Sequence, residues 1–392
     1  MEWIMTTSYR IPAAFRLSGL VTLMMLLVAW QKNTSFALAL AVPFSLIAYA
    51  LYFSLGSTTI ASDVRQWCQG KLLRYLALPL LLVALLYLYV ALGGGKPFTG
   101  NSWRIPLLFC APVLFYRWMI GSNAAITWKD AVGAVLCILP YVLHDYPFDS
   151  KLPFGGGGIE TLYLTLAIIV AVYSVVVVRQ MDRVGFVPFA SLDALKITLK
   201  GWAIFFVLVM AIGLPSGIMK WVGHDPITPA VLISGLALFL RTFFGTALPE
   251  ELIFRGLFLN LLQQRIKQTG NWRRYLYGAV LLLPLAAVAG YTTEDKTQWF
   301  PLLCAALLWA FTFWLNRRDA EQTSAYTALL IVSTLFGLAH YHVHSTIFMG
   351  LAMAAGWTYG HVYYKTGSVF YSALCHTLVN VAPALFGFAL VR

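Results

Sequence analysis

Charge is what this sequence has least of. Only 11% of its 392 residues are Asp, Glu, Lys or Arg, and 60% are hydrophobic, against about 25% charged in an ordinary soluble domain. A soluble chain of this length needs a charged skin around its core, and too little charge is present to make one. Acids are the scarcest, with 15 Asp and Glu against 27 Lys and Arg, a formal net charge of +12. Cysteine is sparse as well. Cys68, Cys110, Cys137, Cys304 and Cys375 are scattered, lie mostly in apolar stretches and form no C-x-x-C pair, so neither a disulfide framework nor a thiolate zinc site is indicated. They read as small hydrophobes. The four glycines at 155–158 are followed by no Lys-Ser/Thr, so they read as a flexible loop and not as a phosphate cradle. No internal repeat and no soluble domain is visible.

What the chain has instead is apolar blocks of roughly 15–22 residues, close to the roughly 20 that a helix needs to cross a bilayer. They fall at 13–31, 35–55, 74–94, 105–121, 130–144, 161–178, 197–214, 228–247, 275–291, 299–315, 325–341, 346–363 and 368–390. An open sheet cannot satisfy its backbone in lipid. The fold predicted is therefore an all-α polytopic membrane bundle with roughly 12–13 transmembrane helices. Arg10 and Arg16 precede the first block in the outline of a signal peptide. No small-residue cleavage site follows and a second block begins almost at once, which reads as a retained first helix.

The basic residues gather in the breaks at 56–74 (Arg65, Lys71, Arg74), 179–200 (Arg179, Arg183, Lys196, Lys200), 263–274 (Arg265, Lys267, Arg273, Arg274) and 316–321 (Arg317, Arg318). Acid-bearing breaks alternate with them: 145–160 holds Asp145, Asp149 and Glu160, and 292–298 holds Glu294 and Asp295. An even number of blocks separates each basic break from the next, so one orientation puts all four in the cytoplasm. The expectation is a multi-pass protein of the plasma membrane with a cytoplasmic N-terminus. This distribution fits topology and not nucleic acid, so no nucleic-acid partner is expected.

Ionisable groups at membrane depth are costly and mark functional sites. Two of the six glutamates are adjacent, Glu250 and Glu251, in Ala-Leu-Pro-Glu-Glu-Leu-Ile-Phe-Arg-Gly. An acidic helix start is the bland reading, with Pro249 at the first helical position and the carboxylates favoured by the helix dipole. Arg255 lies one turn beyond Glu251 and can pair with it. Glu250 points about 100° away, and a carboxylate without a cation in an apolar setting is a candidate base toward water. Five of the seven histidines, His340, His342, His344, His361 and His376, fall in the last 53 residues. Phe336 and His340 share a helix face, as do His376 and Asn380. Such groups could donate hydrogen bonds to the oxyanion of a hydrolysed amide. His340 and His344 also have the spacing of a metal pair, while His342 and His344 read as loop or interface residues. Other membrane-protease signatures are missing: there is no H-E-x-x-H, no G-x-G-D, and Leu214-Pro215-Ser216-Gly217 lacks the first Gly of G-x-S-G.

Together these residues resemble the CPBP (CAAX-processing and bacteriocin-processing, or Abi) intramembrane endopeptidases, the family that includes the Ras-converting CAAX protease. Its motifs E-E-x-x-x-R, F-x-x-x-H and H-x-x-x-N/D stand in order as Glu250-Glu251…Arg255, Phe336…His340 and His376…Asn380. The stretch with Gly360 and 363–368 is also similar. The resemblance covers roughly 228–392 and implies a membrane endopeptidase. In it Glu250 activates water, Glu251 and Arg255 support it, His340 holds the water or a metal, and His376 and Asn380 form the oxyanion hole. Members are described as glutamate proteases or metalloproteases; zinc on Glu250, His340 and His376 is the metal option. The implied substrate is a lipidated (prenylated CAAX-type) protein, a leader peptide or another membrane-bound peptide. Residues 1–227 form helices without an assigned role. The 80 residues at 256–335 are longer than the family's usual connection, which predicts an inserted helical hairpin at about 271–320 beside the site. A secondary transporter using intramembrane Glu, Arg241, Arg255 and histidines as a proton or ion relay is the alternative.

Overall fold

The computed structural model describes residues 11–29, 35–119, 126–143, 148–154, 158–181, 184, 191–223, 228–293 and 296–390. Arg10, Asp145, the glycines at 155–157, Arg183, Glu294 and Asp295, which entered the sequence reading, lie outside them. The described chain runs through helices α1 (Ile11–Ala29), α2 (Ser35–Leu55), α3 (Thr58–Cys68), α4 (Leu72–Leu92), α5 (Arg104–Met119), α6 (Trp128–Leu143) and α7 (Ile159–Val178). It continues through α8 (Leu192–Gly213), α9 (Val231–Thr269), α10 (Trp272–Tyr291), α11 (Phe300–Arg318), α12 (Thr323–Val343), α13 (Thr346–Thr366) and α14 (Val369–Leu385). Eight of these are long and apolar enough to cross a bilayer. This is an all-α integral membrane protein. The larger number of crossings expected from the sequence also counts shorter apolar helices, such as Ile11–Leu27 and Val369–Leu385.

Contacts divide the chain into two compact units, 1–189 with 226–249, and 190–225 with 250–392. In the first, α7 is the central helix, with 83% of its apolar window buried. Its end carries Arg179, whose Nε lies 2.5 Å from Asp130 at the start of α6. Asp130 is 1% exposed and also accepts from the backbone of Thr127. A buried acid thus acquires both a cation and a helix-start amide, the condition under which burial of charge is tolerated. The helix α3, inside a stretch that reads as a basic break, begins where the Ser57 hydroxyl accepts from the amide of Ile60.

In the second unit, α12 and α13 pack along their lengths, with α8 and α14 against α13. Small residues permit the approach. A Cβ on Gly337 would meet the side chain and backbone of Met353, and one on Gly356 would come within 3.0 Å of Ser333. In lipid, close backbone approach of this kind replaces the hydrophobic drive for helix association. The pair α10–α11 packs on α12 and α13 through Leu276, Ala279, Leu330 and the Trp309 indole, which donates to the carbonyl of Leu276 at 3.0 Å. The last apolar block stops short of its expected end. Gly387, at φ 73°, turns the chain so that Phe388–Leu390 pairs antiparallel with Met219–Trp221.

One local expectation is overturned. Pro249 does not begin a helix; it lies within α9, which runs unbroken for 39 residues. The start lies earlier, where Thr228 caps the amide of Val231 and Pro229 takes a first-turn position. Proline within a helix lacks an N–H and crowds the preceding turn. The chain accommodates it by widening into π-helical turns at Phe243–Ala247 and again at Leu252–Leu259, on either side of Glu250 and Glu251. Such turns recur at functional positions in helices. The end of α9 follows the sequence more simply: Gly270, at φ 65°, accepts the left-handed conformation that closes it.

Candidate active site

Glu251 is the organising group of the second unit's interior. It is fully buried and so is Arg255, one turn on. Arg255 Nη1 donates to Glu251 Oε1 at 2.9 Å, and Nη2 donates to the carbonyl of Gly356 on α13 at 2.8 Å. The guanidinium lies over the Phe336 ring at 4.6 Å and near that of Tyr359 at 5.4 Å. A planar cation that needs little hydration suits this setting better than an ammonium would.

Two groups from α14 complete the coordination of Glu251. His376 Nδ1 lies 3.0 Å from Oε1, and the Ser372 hydroxyl donates to Oε2 while also lying 2.8 Å from the carbonyl of Tyr359. A carboxylate only accepts, so His376 carries its hydrogen on Nδ1. Its ring stacks on Tyr359, centroids 4.5 Å apart and 16° from parallel. The tautomer and the orientation of this histidine are therefore both fixed, by residues distant in sequence.

Glu250 stands apart from this network. It is half-buried, and its Oε2 is enclosed without a hydrogen-bond partner among the described residues. His340 closes the α-helical part of α12, where its Nδ1 donates to the carbonyl of Phe336 at 2.8 Å and its ring meets that of Phe336 at 4.8 Å. Nδ1 is committed to that carbonyl, so in the neutral ring Nε2 is an acceptor. Phe336 also stands edge-on to His376 at 5.9 Å, and thus joins both histidines.

The structure brings Glu251, Arg255 and His376 into direct contact and sets His340 beside them through Phe336. Asn380 is one turn past His376 but exposed, and no hydrogen bond joins it to the cluster among the described residues. His342 and His344 are exposed in the turn after α12. No group of three or more His, Cys, Asp or Glu side chains that could hold a metal ion occurs among the described residues. The zinc set of Glu250, His340 and His376 is thus not assembled among the described residues. Ser372 and Tyr359 were missed by sequence reasoning. Ser372 carried a signal, since it lies one turn before His376 on the same face; Tyr359 carried none.

Phe336 is about 20 Å along α12 from Thr323, and His376 about 10 Å along α14 from Val369, at 1.5 Å per residue. Because their rings meet edge-on, the starts of the two helices are offset by about 10 Å along their axes or the helices are tilted.

The family described as type II CAAX prenyl endopeptidase, Rce1-like, matches residues 231–319 and 314–382. This region is similar to that family. It contains every motif residue of the site, from Glu250 to Asn380, and the similarity indicates an intramembrane protease. The two stretches of the CAAX-endopeptidase match overlap at 314–319, at the end of α11. Comparison with curated proteins and with solved structures returns no match.

Proposed function

We propose that the protein cleaves a peptide bond near the C-terminus of a prenylated, CAAX-type membrane-associated protein, with Glu250 as the base that activates water. The observation that carries this reading is the division of labour between adjacent glutamates. Glu251 is bonded to Arg255, Ser372 and His376, whereas Glu250 Oε2 is enclosed and has no hydrogen-bond partner among the described residues. A carboxylate oxygen with no donor on it can receive a proton from water directly, whereas each oxygen of Glu251 would first have to release a hydrogen bond it already accepts.

In this reading His340 Nε2 accepts a hydrogen bond from the same water, helping to aim it at the scissile carbonyl. As Glu250 takes a proton from the water, the water oxygen bonds to the carbonyl carbon and the C=O π pair moves onto the carbonyl oxygen as an oxyanion. With Nδ1 held by Glu251, His376 turns Nε2 toward the oxyanion and donates to it when the ring carries both protons. Asn380, exposed one turn further along α14, supplies a second donor once substrate is bound. The proton held by Glu250 then passes to the leaving amine. The hairpin α10–α11 is an insertion beside the site, in keeping with its packing on α12 and α13 and with the direct Glu251–His376 bond. The distribution of the basic breaks supports a cytoplasmic N-terminus, and the membrane taken in this reading is the plasma membrane.

The test is cleavage by the full-length protein in proteoliposomes, offered a farnesylated CAAX peptide and the same peptide without the lipid. Release of the terminal tripeptide from the lipidated form is expected. Equal cleavage of both peptides would overturn the substrate assignment, and cleavage of neither would overturn the reading.

Ser372 acts in this scheme as a positioning residue. Ser372→Ala removes a hydrogen bond to a charged group, about 1.5–3 kcal/mol, and is expected to lower kcat about tenfold or more with KM little changed. In a Glu251→Gln background the same substitution should add almost nothing, because both act through one carboxylate. Additive effects would show that Ser372 serves packing only.

A further inference from the structure

At the turn between α9 and α10 the second unit carries a cleft of about 560 Å³ that the proteolytic site does not use. Its mouth is lined by Arg265, Asn271, Arg274 and Tyr275, and its floor by Ala279, Leu282 and Ile331. No acidic side chain lines it, and the sequence has no Asp or Glu anywhere from 252 to 293. Polar and apolar lining are separated along the helix axis. From Arg274 to Leu282 is eight residues, about 12 Å of helix at 1.5 Å per residue, so the cleft descends from a cationic rim along the apolar span.

The rim belongs at a membrane interface. Thr269 ends a 39-residue apolar helix, and Trp272 begins the next, 20 residues long. Trp272, Tyr275 and Tyr277 at this level are the residue types that settle among headgroups. Asn271 caps the amide of Arg274 at 3.2 Å, which fixes the start of α10 beneath the rim. The guanidinium of Arg273 lies over Trp272 at 5.5 Å, outside the lining.

We infer that this cleft binds one anionic phospholipid, its phosphate between Arg265 and Arg274 and the upper part of an acyl chain against Leu282 and Ile331. Charge complementarity selects the headgroup, since a guanidinium matches phosphate oxygens in paired hydrogen bonds. The floor selects a lipid over a free anion, because inorganic phosphate has nothing to place on it. Basic pockets between membrane helices hold lipid headgroups for these reasons. The inference is independent of the proteolytic reading.

The test uses the full-length protein equilibrated with vesicles of equimolar phosphatidylglycerol and phosphatidylcholine, extracted in mild detergent and weighed by native mass spectrometry. Preferential retention of phosphatidylglycerol is expected. Each of Arg265→Gln and Arg274→Gln should weaken retention about fivefold, and the double variant more strongly. Both arginines are exposed, so the variants should fold. Arg317→Gln with Arg318→Gln removes equal charge outside the cleft and should leave retention unchanged. Equal retention of the two lipids overturns the inference, as does equal loss in the Arg317/Arg318 control. Displacement of the lipid by millimolar inorganic phosphate overturns it too, since that would mark a simple anion site.

Discussion

Glu250→Gln is expected to abolish cleavage of the lipidated peptide, lowering kcat by about 10²–10⁴-fold, the usual contribution of a positioned general base. The amide keeps the shape and volume of the side chain and removes only its basicity. Stability should not fall with activity. The Glu250 Oε2 atom is enclosed without a partner among the described residues, and an unsatisfied buried acceptor is a cost in the folded state. Thermal unfolding of Glu250→Gln in detergent should therefore match wild type or lie slightly above it, a trade between activity and stability common at working sites. Activity within a few-fold of wild type in this variant would falsify the assignment of the base. A large drop in stability would mean that Glu250 holds the helices together and is no free carboxylate.

Arg255→Ala should behave in the opposite way. Arg255 is among the largest fully buried side chains, and it links Glu251 on α9 to the Gly356 carbonyl on α13. Removing it leaves the Glu251 charge buried with only Ser372 and His376, and breaking one side of a buried ion pair costs about 3–5 kcal/mol. Loss of activity would follow from loss of structure, seen as a lowered unfolding midpoint of the full-length protein. Arg255→Lys should recover part of the stability but not all, because a single ammonium cannot bridge Glu251 and Gly356 as the planar fork does. If Arg255→Ala unfolds like wild type, the pair is solvated in the membrane-bound protein and the account of Glu251 as the fixed centre fails. The contrast between these substitutions, one inactive and stable, the other inactive and unstable, separates the roles of the neighbouring glutamates.

Much of the site was legible because helical spacing is local. Glu251 and Arg255 are four apart and do bond, and Phe336 and His340 are four apart and also bond, through carbonyl and ring nitrogen. His376 and Asn380 share the same spacing, yet the structure engages only His376. Spacing says which residues share a face and not which face meets a neighbour. Ser372 illustrates the converse. It sits at the helical interval before His376 and was overlooked because serine within an apolar helix most often bonds its own backbone. Pro249 misled for a related reason: proline suits a helix start, and nothing local announces that neighbouring π-helical turns will carry it inside a long helix.

The sequence by itself determined the membrane, the helical class and the residue types of the chemistry. Those follow from composition, from apolar runs of bilayer length and from intervals along one helix, and none of these depends on a partner element. Only the tertiary structure decided which glutamate is free. Glu250 and Glu251 are chemically identical and adjacent. What distinguishes them is that Ser372 and His376, over 120 residues away in sequence, reach one carboxylate and not the other. The packing of α13 against α12 at Gly356, and the stagger that brings Phe336 to His376, set that choice. No local pattern in the chain records them.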